Sequence, residues 1–470
     1  MSASRERKKR LVQEENPAPE KKTKKKLSEG VILAISVVLV LALVIGGILG
    51  YRAYWRNATV MKVNDHKISV KEFNYFYCPI ANSFRSQIGN NSSSMVDLGL
   101  SDLLIESAKN SIAQCYTLYD EGKAKGFEAS EEDMAVVEET MAQYKAQKDQ
   151  YNQTYNTKWD LDEYIAAIFG KGCNEKGLRC YLERTAYADA YANSLTYTDE
   201  EIQTAYEADK TRFDVATYDL YKVAASDYIE EGAESTEVTD AEKEKAKAAA
   251  EAMEKEFDAE SDKVTHNADR TQEGITSAVN EDAAKWVFET AAAGDAKLFV
   301  NEAGDTYYVI KLIDKEDYAT ANLLQLVYCD TEDSTSHSHD YTPKEIEVAV
   351  NTAMSDKTDA DGFRKLAEQY SENDTVDVEN VTRSGAISYS EDVYAWLFNE
   401  ERTAGDCKSF EVTNNGEKIH VVLYYTGAGK MQRALSVSNG LKTDHVEGLV
   451  TAAVENCDFS KKAVKHANLD

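Results

Sequence analysis

Seven histidines and seven cysteines are the side chains of this 470-residue chain best suited to chemistry, and they are sparsely placed. His337 and His339 lie two apart in STSHSHDYTP, with Asp330, Asp333 and Asp340 close by. Such a set can hold a divalent cation, but the run reads first as a solvated loop, and no metal is assigned to it. The cysteines (Cys78, Cys115, Cys173, Cys180, Cys329, Cys407, Cys457) are odd in number and lack the CxxC pairs of a zinc site or the close spacing of a disulfide framework. Most of them read as small buried apolar residues. His420 alternates with Ile419 and Val421 in a strand, as a structural histidine or a catalytic one. No GxSxG, HExxH, P-loop or GxGxxG motif occurs, so the corresponding hydrolase and nucleotide chemistries find no support and no cofactor is expected. Tyrosine, by contrast, is dense. Tyr75, Tyr77, Tyr116, Tyr119, Tyr151, Tyr155, Tyr164, Tyr181, Tyr187 and Tyr191 crowd one helical stretch, as packing or as the lining of a cradle for another polypeptide.

The elements that carry these residues begin with an anchor. Val31 to Gly50 is a twenty-residue run without a charge, long enough at about 1.5 Å per residue to cross a hydrocarbon core about 30 Å thick. Ten Lys/Arg precede it, mostly in RERKKR and KKTKKK, and such a flank stays cytoplasmic while the following chain is exported. A cleaved signal peptide would carry a shorter apolar region and a small-residue cleavage site. Here Tyr51, Arg52, Tyr54, Trp55 and Arg56 follow, with the look of an interfacial anchor. The expected localisation is therefore a single-pass cell-membrane protein with an extracytoplasmic body. Beyond residue 50 that body holds 43 of the chain's 53 Lys/Arg and 78 of its 83 Asp/Glu, a formal charge of −35. This argues against nucleic acid and against adhesion to anionic lipid.

Ala58 to Ile68 reads as strand–turn–strand with Asn64-Asp65 at the turn, and Ser69 to about Leu195 as an array of helices. Ser130, Asp160 and Thr198 open helices, the first with a capping-box pattern. The second half repeats. AAKWVFETAAAGDAKLFVNEAGDTYYVIKLIDK (Ala283–Lys315) returns as YAWLFNEERTAGDCKSFEVTNNGEKIHVVLYYTG (Tyr394–Gly427). Trp286 matches Trp396, Phe299 matches Phe410, Gly294-Asp295 matches Gly405-Asp406, and Tyr308 matches His420. Each copy reads as a helix, a glycine turn, a strand, a hairpin and an alternating strand. The expected organisation is a basic cytoplasmic tail (1–30), a transmembrane anchor (31–50), a helical module (58–211), two α+β modules (212–317 and 318–430) and a closing helical segment (431–470).

The order of these parts resembles the PrsA/SurA-type secretion foldases. VNDHKISVKEFNYFY, EGKAKGFEAS, EYIAAIFGKGCNEKGLRCYLERT and YTDEEIQTAYEADKTRFD are similar to their helical chaperone module. FRKLAEQYSEN and GEKIHVVLYYTG are similar to parvulin-type peptidyl-prolyl isomerase domains. The resemblance implies an α+β multidomain protein whose helical module cradles unfolded or secreted polypeptides and whose C-terminal helix packs back upon it. Parvulin sites use two histidines and a nearby Cys/Asp in an apolar pocket. Carried over, the second histidine falls on His420, the Cys/Asp position near Asn373 or Asp374, and the first histidine on Gln325. Ser384-Gly385-Ala386-Ile387-Ser388 stands where the family has a glycine-rich turn, and the first module has Tyr308 for its last-strand histidine. Both sites read as degenerate. The expected function is a membrane-anchored chaperone or foldase. An active prolyl isomerase and a non-catalytic envelope adaptor are the alternatives, and self-association stays open.

Overall fold

A computed structural model describes residues 51, 54–88, 101–230, 237–329, 341–373, 375–414, 417–455 and 457–464. The run expected to span the membrane, the His337/His339 loop and Asp374 lie outside them. Among the described residues no helix is long and apolar enough to cross a membrane. The fold is mixed, with a helical N-terminal module and two small sheets. It divides into two compact units: residues up to Asn193 with Val446 onward, and Ser194–His445.

The first unit opens with the hairpin β1 (Thr59–Val63) and β2 (His66–Ser69), whose turn residue Asn64 has φ 49°, a conformation Asn tolerates better than most residues. Helices α1 (Val70–Ile88) and α2 (Ser101–Ala124) follow and pack together through Phe73, Tyr77, Ala108, Ile112 and Leu118, all fully buried or nearly so. Then come α3 (Glu131–Tyr155), α4 (Leu161–Phe169) and α5 (Glu175–Ser194). Ser130 and Asp160 cap α3 and α4, each with a reciprocal bond from the third residue of the helix.

In the second unit α6 (Asp199–Ala208) and α7 (Lys210–Phe213) precede a four-stranded antiparallel sheet of order β4-β3-β6-β5. Its parts are β3 (Ala216–Ala224), α8 (Asp240–Lys255), β4 (Val264–Arg270), α9 (Gln272–Ala278), α10 (Glu281–Lys285), β5 (Ala296–Val300) and β6 (Thr306–Asp314). A second sheet, β8-β7-β10-β9, repeats the order. It comprises β7 (Ala319–Cys329), α11 (Pro343–Ser355), α12 (Ala360–Tyr370), β8 (Asp377–Val381), α13 (Arg383–Tyr389), α14 (Glu391–Leu397), β9 (Cys407–Asn414) and β10 (Glu417–Met431). In each copy a tryptophan packs on the matched phenylalanine, Trp286 on Phe299 at 5.6 Å and Trp396 on Phe410 at 5.5 Å. The glycine turn is also shared. Gly294 N and Gly405 N donate to Leu312 O and Tyr425 O, and those residues donate back to Asp295 and Asp406.

Strand register corrects one pairing. Phe299 sits opposite Tyr308, but Phe410 sits opposite Val421. Eight residues separate the first pair and ten the second, so the hairpin of the second copy is longer. The counterpart of His420 is therefore Tyr307, not Tyr308. The expected glycine turn at Ser384–Ser388 is helix α13. Its N-cap Thr382 accepts from Gly385 N, as Thr271 accepts from Gly274 N at the head of α9.

The edge strands share a device. Asp269 and Asn380 each precede the last residue of their strand at φ 54° and 56°, beside matching register shifts in β3–β4 and β7–β8. Asp269 accepts from Tyr318 Oη and from Ser384 N, both at 2.7 Å, and so binds the second module to the first. Arg383 completes the junction. Its guanidinium donates to both oxygens of Asp314 (2.8 and 2.9 Å) and lies 4.1 Å from the Tyr318 ring.

The closing helix α15 (Gln432–Glu455) crosses the boundary between the units. Its first part packs on α6 and α7: a Cβ on Gly440 would come within 2.7 Å of the Phe213 ring, and Arg212 donates twice to Asp444. α6 and α7 belong to the second compact unit, which begins at Ser194. The chain beyond Val446 packs back on the first unit. Ser460 N donates to Val60 O at 2.7 Å, and Ala463 and Val464 of α16 (Lys461–Val464) are buried.

Replacing Arg383 by Ala should lower the stability of the second unit by about 2–3 kcal/mol, because it strands the half-buried Asp314 carboxylate. Urea denaturation read by near-ultraviolet circular dichroism measures this, and Arg383→Lys should recover only part of the loss, since an ammonium lacks the planar face that the guanidinium lays on the Tyr318 ring. An unchanged midpoint for Arg383→Ala would show that the pair does not hold the junction.

Candidate functional site

Two places in the chain are candidates, one in each unit. In the second module β7 and β10 pair so that His420 faces Tyr328 and Gln325 faces Leu423. Side chains alternate faces along a strand, and Leu423 lies three positions after His420, an odd offset, so His420 and Gln325 project from opposite faces. The surroundings agree. The His420 ring stacks on Tyr328 at 4.7 Å and 15°, and Tyr328 belongs to the core formed with Ile346, Val350 and Phe363 of α11 and α12. Gln325 is 3 % exposed; its amide donates to Thr375 O (2.8 Å) and accepts from Tyr389 Oη (2.9 Å), beside the core formed with α13 and α14. The two implied catalytic positions are thus not brought together. Gln325 is spent on tying a loop to a helix, and Asp374 lies outside the described residues. Among those residues no three His, Cys, Asp or Glu gather as they would around a metal ion.

The first unit offers a cavity of about 200 Å³ between α1 and α5. Tyr75, Phe76 and Tyr181 wall it with aromatic surface: Tyr181 stacks on Tyr75 at 5.8 Å and meets Phe76 edge-on at 4.8 Å. Lys71, Arg184 and the exposed thiol of Cys180 stand around it. The chain positions these rings with backbone bonds and glycine. Tyr75 Oη donates to Asn174 O (3.0 Å) and accepts from Asn174 N (2.9 Å). Gly177 allows the close approach, since a Cβ there would lie 2.5 Å from Tyr75 Oη. Arg184 is held by Glu72 at 3.0 Å and lies 4.3 Å from the Tyr116 ring. Burial pushes the Tyr181 phenol up to about 12 and raises that of Tyr75, so both remain neutral hydrogen-bonding groups at physiological pH. An apolar cavity of about 150 Å³ takes one benzene ring, so this one fits a single side chain of similar bulk. Covering such a group contributes about 1.5–3 kcal/mol before entropic costs.

Residues 21–158 match the family described as the SurA-like N-terminal domain. No curated protein matches the chain. The family match covers the hairpin, α1, α2 and α3, and it supports kinship with SurA/PrsA-type chaperones. It stops short of α5, which supplies Tyr181 and Arg184. Tyrosine density pointed to this unit, but Gly172 and Gly177, which open the cavity, carried no signal in the sequence beyond being two glycines five residues apart.

The thiols provide a check on the geometry. Burial pushes Cys115, Cys173 and Cys407 up to about 12, leaving only about one part in 10⁴ as thiolate at pH 8. Cys180 is the exposed cysteine. A thiol reagent at pH 8 should modify Cys180 first and reach the buried Cys115 and Cys173 only on unfolding, and mass mapping of the labelled peptides reads this. Early labelling of Cys173 would contradict the packing described.

Proposed function

We propose that this chain is a membrane-anchored extracytoplasmic chaperone that holds unfolded or secreted polypeptides reversibly, with little or no prolyl-isomerase activity. The observation that carries the reading is the preformed aromatic cavity in the unit that matches a SurA-like domain. A site that fits one bulky side chain and contributes a few kcal/mol suits weak, sequence-tolerant capture, which a holding function needs. The opposite placement of His420 and Gln325 supports the second half of the proposal. Loss of one preorganised donor typically removes about 2.7–4 kcal/mol of transition-state stabilisation, and here the positions do not share a pocket.

Three outcomes separate the alternatives. The purified full-length chain, without ATP, should suppress aggregation of a thermally unfolding client. Gly177→Leu, which displaces Tyr75 and fills the cavity, should weaken that suppression several-fold. Catalysis of proline isomerisation with kcat/KM of about 10⁴ M⁻¹s⁻¹ or more, abolished by His420→Ala, would establish the isomerase instead. Neither activity would leave the adaptor.

The anchor belongs to the same proposal and has its own test. The basic residues before Val31 support a cytoplasmic tail with everything after Tyr51 outside. Protease added to intact protoplasts should leave only a small membrane-protected fragment, whereas protection of the whole chain would overturn this topology.

A further inference from the structure

The aromatic column that begins at the cavity continues along the helices. Tyr75 meets Phe169 at 5.2 Å, and Phe169 meets Tyr144 at 5.9 Å. Two turns further along α3 the column resumes at Tyr151, and there it surfaces. Tyr151 stacks on Trp159 at 4.8 Å with planes 26° apart, and meets Tyr155 at 4.6 Å and Tyr164 at 5.9 Å. Tyr151, Trp159 and Tyr164 are half-buried, while Tyr155 is 64 % exposed. Four rings therefore stand together where α3 turns into α4.

That turn is held firmly. Asn156 closes α3 at φ 51°. Asn152 Oδ1 accepts from Trp159 N (3.0 Å) and Thr157 Oγ1 (2.7 Å), and its Nδ2 donates to Trp159 O (2.9 Å). Rings fixed in this way lose little further freedom when something covers them. The charge around them is one-sided. Close to the rings, residues 148–164 carry four Asp/Glu (Asp149, Asp160, Asp162, Glu163) against two Lys (Lys148, Lys158), and Lys148 is already paired with Asp149 at 2.8 Å. Anionic lipid headgroups are repelled by such a surface, and a cationic partner is drawn to it.

We propose that this platform binds arginine-bearing, extended segments of unfolded polypeptide, as a second point of attachment beside the cavity. A guanidinium is planar and weakly hydrated, so it stacks on tyrosine and tryptophan faces while pairing with carboxylates at their edge; a lysine ammonium offers the charge without the stacking plane. The platform therefore selects arginine over lysine at equal charge. This inference rests on the chaperone reading and names the kind of segment that the chaperone prefers.

The probes are three fluorescein-labelled peptides of equal length, in which Arg, Lys or Glu alternates with Ser, titrated with the full-length chain and read by anisotropy. The Arg peptide should bind about three- to tenfold more tightly than the Lys peptide, and the Glu peptide should not bind. Tyr155→Ala should remove the preference for arginine, and Tyr155→Phe should retain it. Because Tyr155 is largely exposed, both variants should melt as the wild type does, which separates lost binding from lost folding. Equal binding of Arg and Lys peptides, or an arginine preference that survives combined Tyr155→Ala and Trp159→Ala, would overturn the platform. If aggregation suppression persists in that case, the chaperone reading stands without it. If the wild type neither suppresses aggregation nor binds any peptide, both readings fall. A concentration-dependent dimer in sedimentation velocity that Tyr155→Ala dissociates would also overturn the proposal, assigning the rings to self-association.

Discussion

The pairing of β7 with β10, and of β3 with β6, is the constraint from which most of the second unit follows. An antiparallel ladder has a side-chain period of two, so one register sorts every residue of both strands onto one face or the other. In the second module it sends Leu323, Val421 and Leu423 towards α13 and α14, and Leu324, Leu326, Val422 and Tyr424 towards α11 and α12. The first module does the same with Tyr218, Ile310 and Leu312 on one side and Tyr221, Val223 and Val309 on the other. Both faces of each sheet are thereby committed to core. That is why β6, β7 and β10 carry nearly continuous apolar runs where a sheet with one wet face would alternate.

The edge strands then turn two similar sheets into one body. A residue at φ near 55° costs about 1–2 kcal/mol for an ordinary side chain, less for Asn and Asp, and the bulge it creates bends the strand end outward. Asp269 uses that displacement to accept two hydrogen bonds from the next module. Asn380, at the matching place, accepts from Lys430 N at 2.8 Å, at the start of the segment leading into α15. Gly429 makes the approach feasible, since a Cβ there would lie 2.5 Å from Thr320 Oγ1. The same local device thus fastens whatever follows each sheet.

Much of this organisation is legible in the sequence. Capping at Ser130, Asp160 and Thr198, the Asn64 turn and the Trp–Phe repeat all follow from local rules that the structure obeys. The edge strands β4 and β8 are harder, because VTHNADR and DVENV are short, polar and half-exposed, as edges are. Helices α9 and α13 hide behind glycine, although Thr271-x-x-Gly274 and Thr382-x-x-Gly385 repeat at the same spacing as the strands and extend the repeat upstream. The pairing of Tyr308 with His420 fails for a different reason. Aligning glycines across the hairpin absorbs the extra residues in the wrong place, and in a strand a shift of one residue exchanges faces. The aromatic cavity is visible only as an excess of tyrosine, since its shape depends on glycines whose role is steric.

The geometry of the sheets bears on what the second unit can do. Rotation about a prolyl bond needs an apolar pocket that receives the proline ring, with its polar groups converging on the imide. Where both faces of a sheet are roofed by helices, such a pocket has to be opened at the cost of core contacts, and a half-buried histidine stacked on Tyr328 already uses the space beside it. Gln325 adds to the packing by satisfying a loop carbonyl and the Tyr389 hydroxyl, bonds that a catalytic group facing a substrate has to forgo. His420 and Gln325 therefore act as sheet and loop ties. In the first unit, Tyr75 bonds through its hydroxyl oxygen while its ring packs against Tyr181 and Phe169, so the wall of the cavity is set by ring stacking.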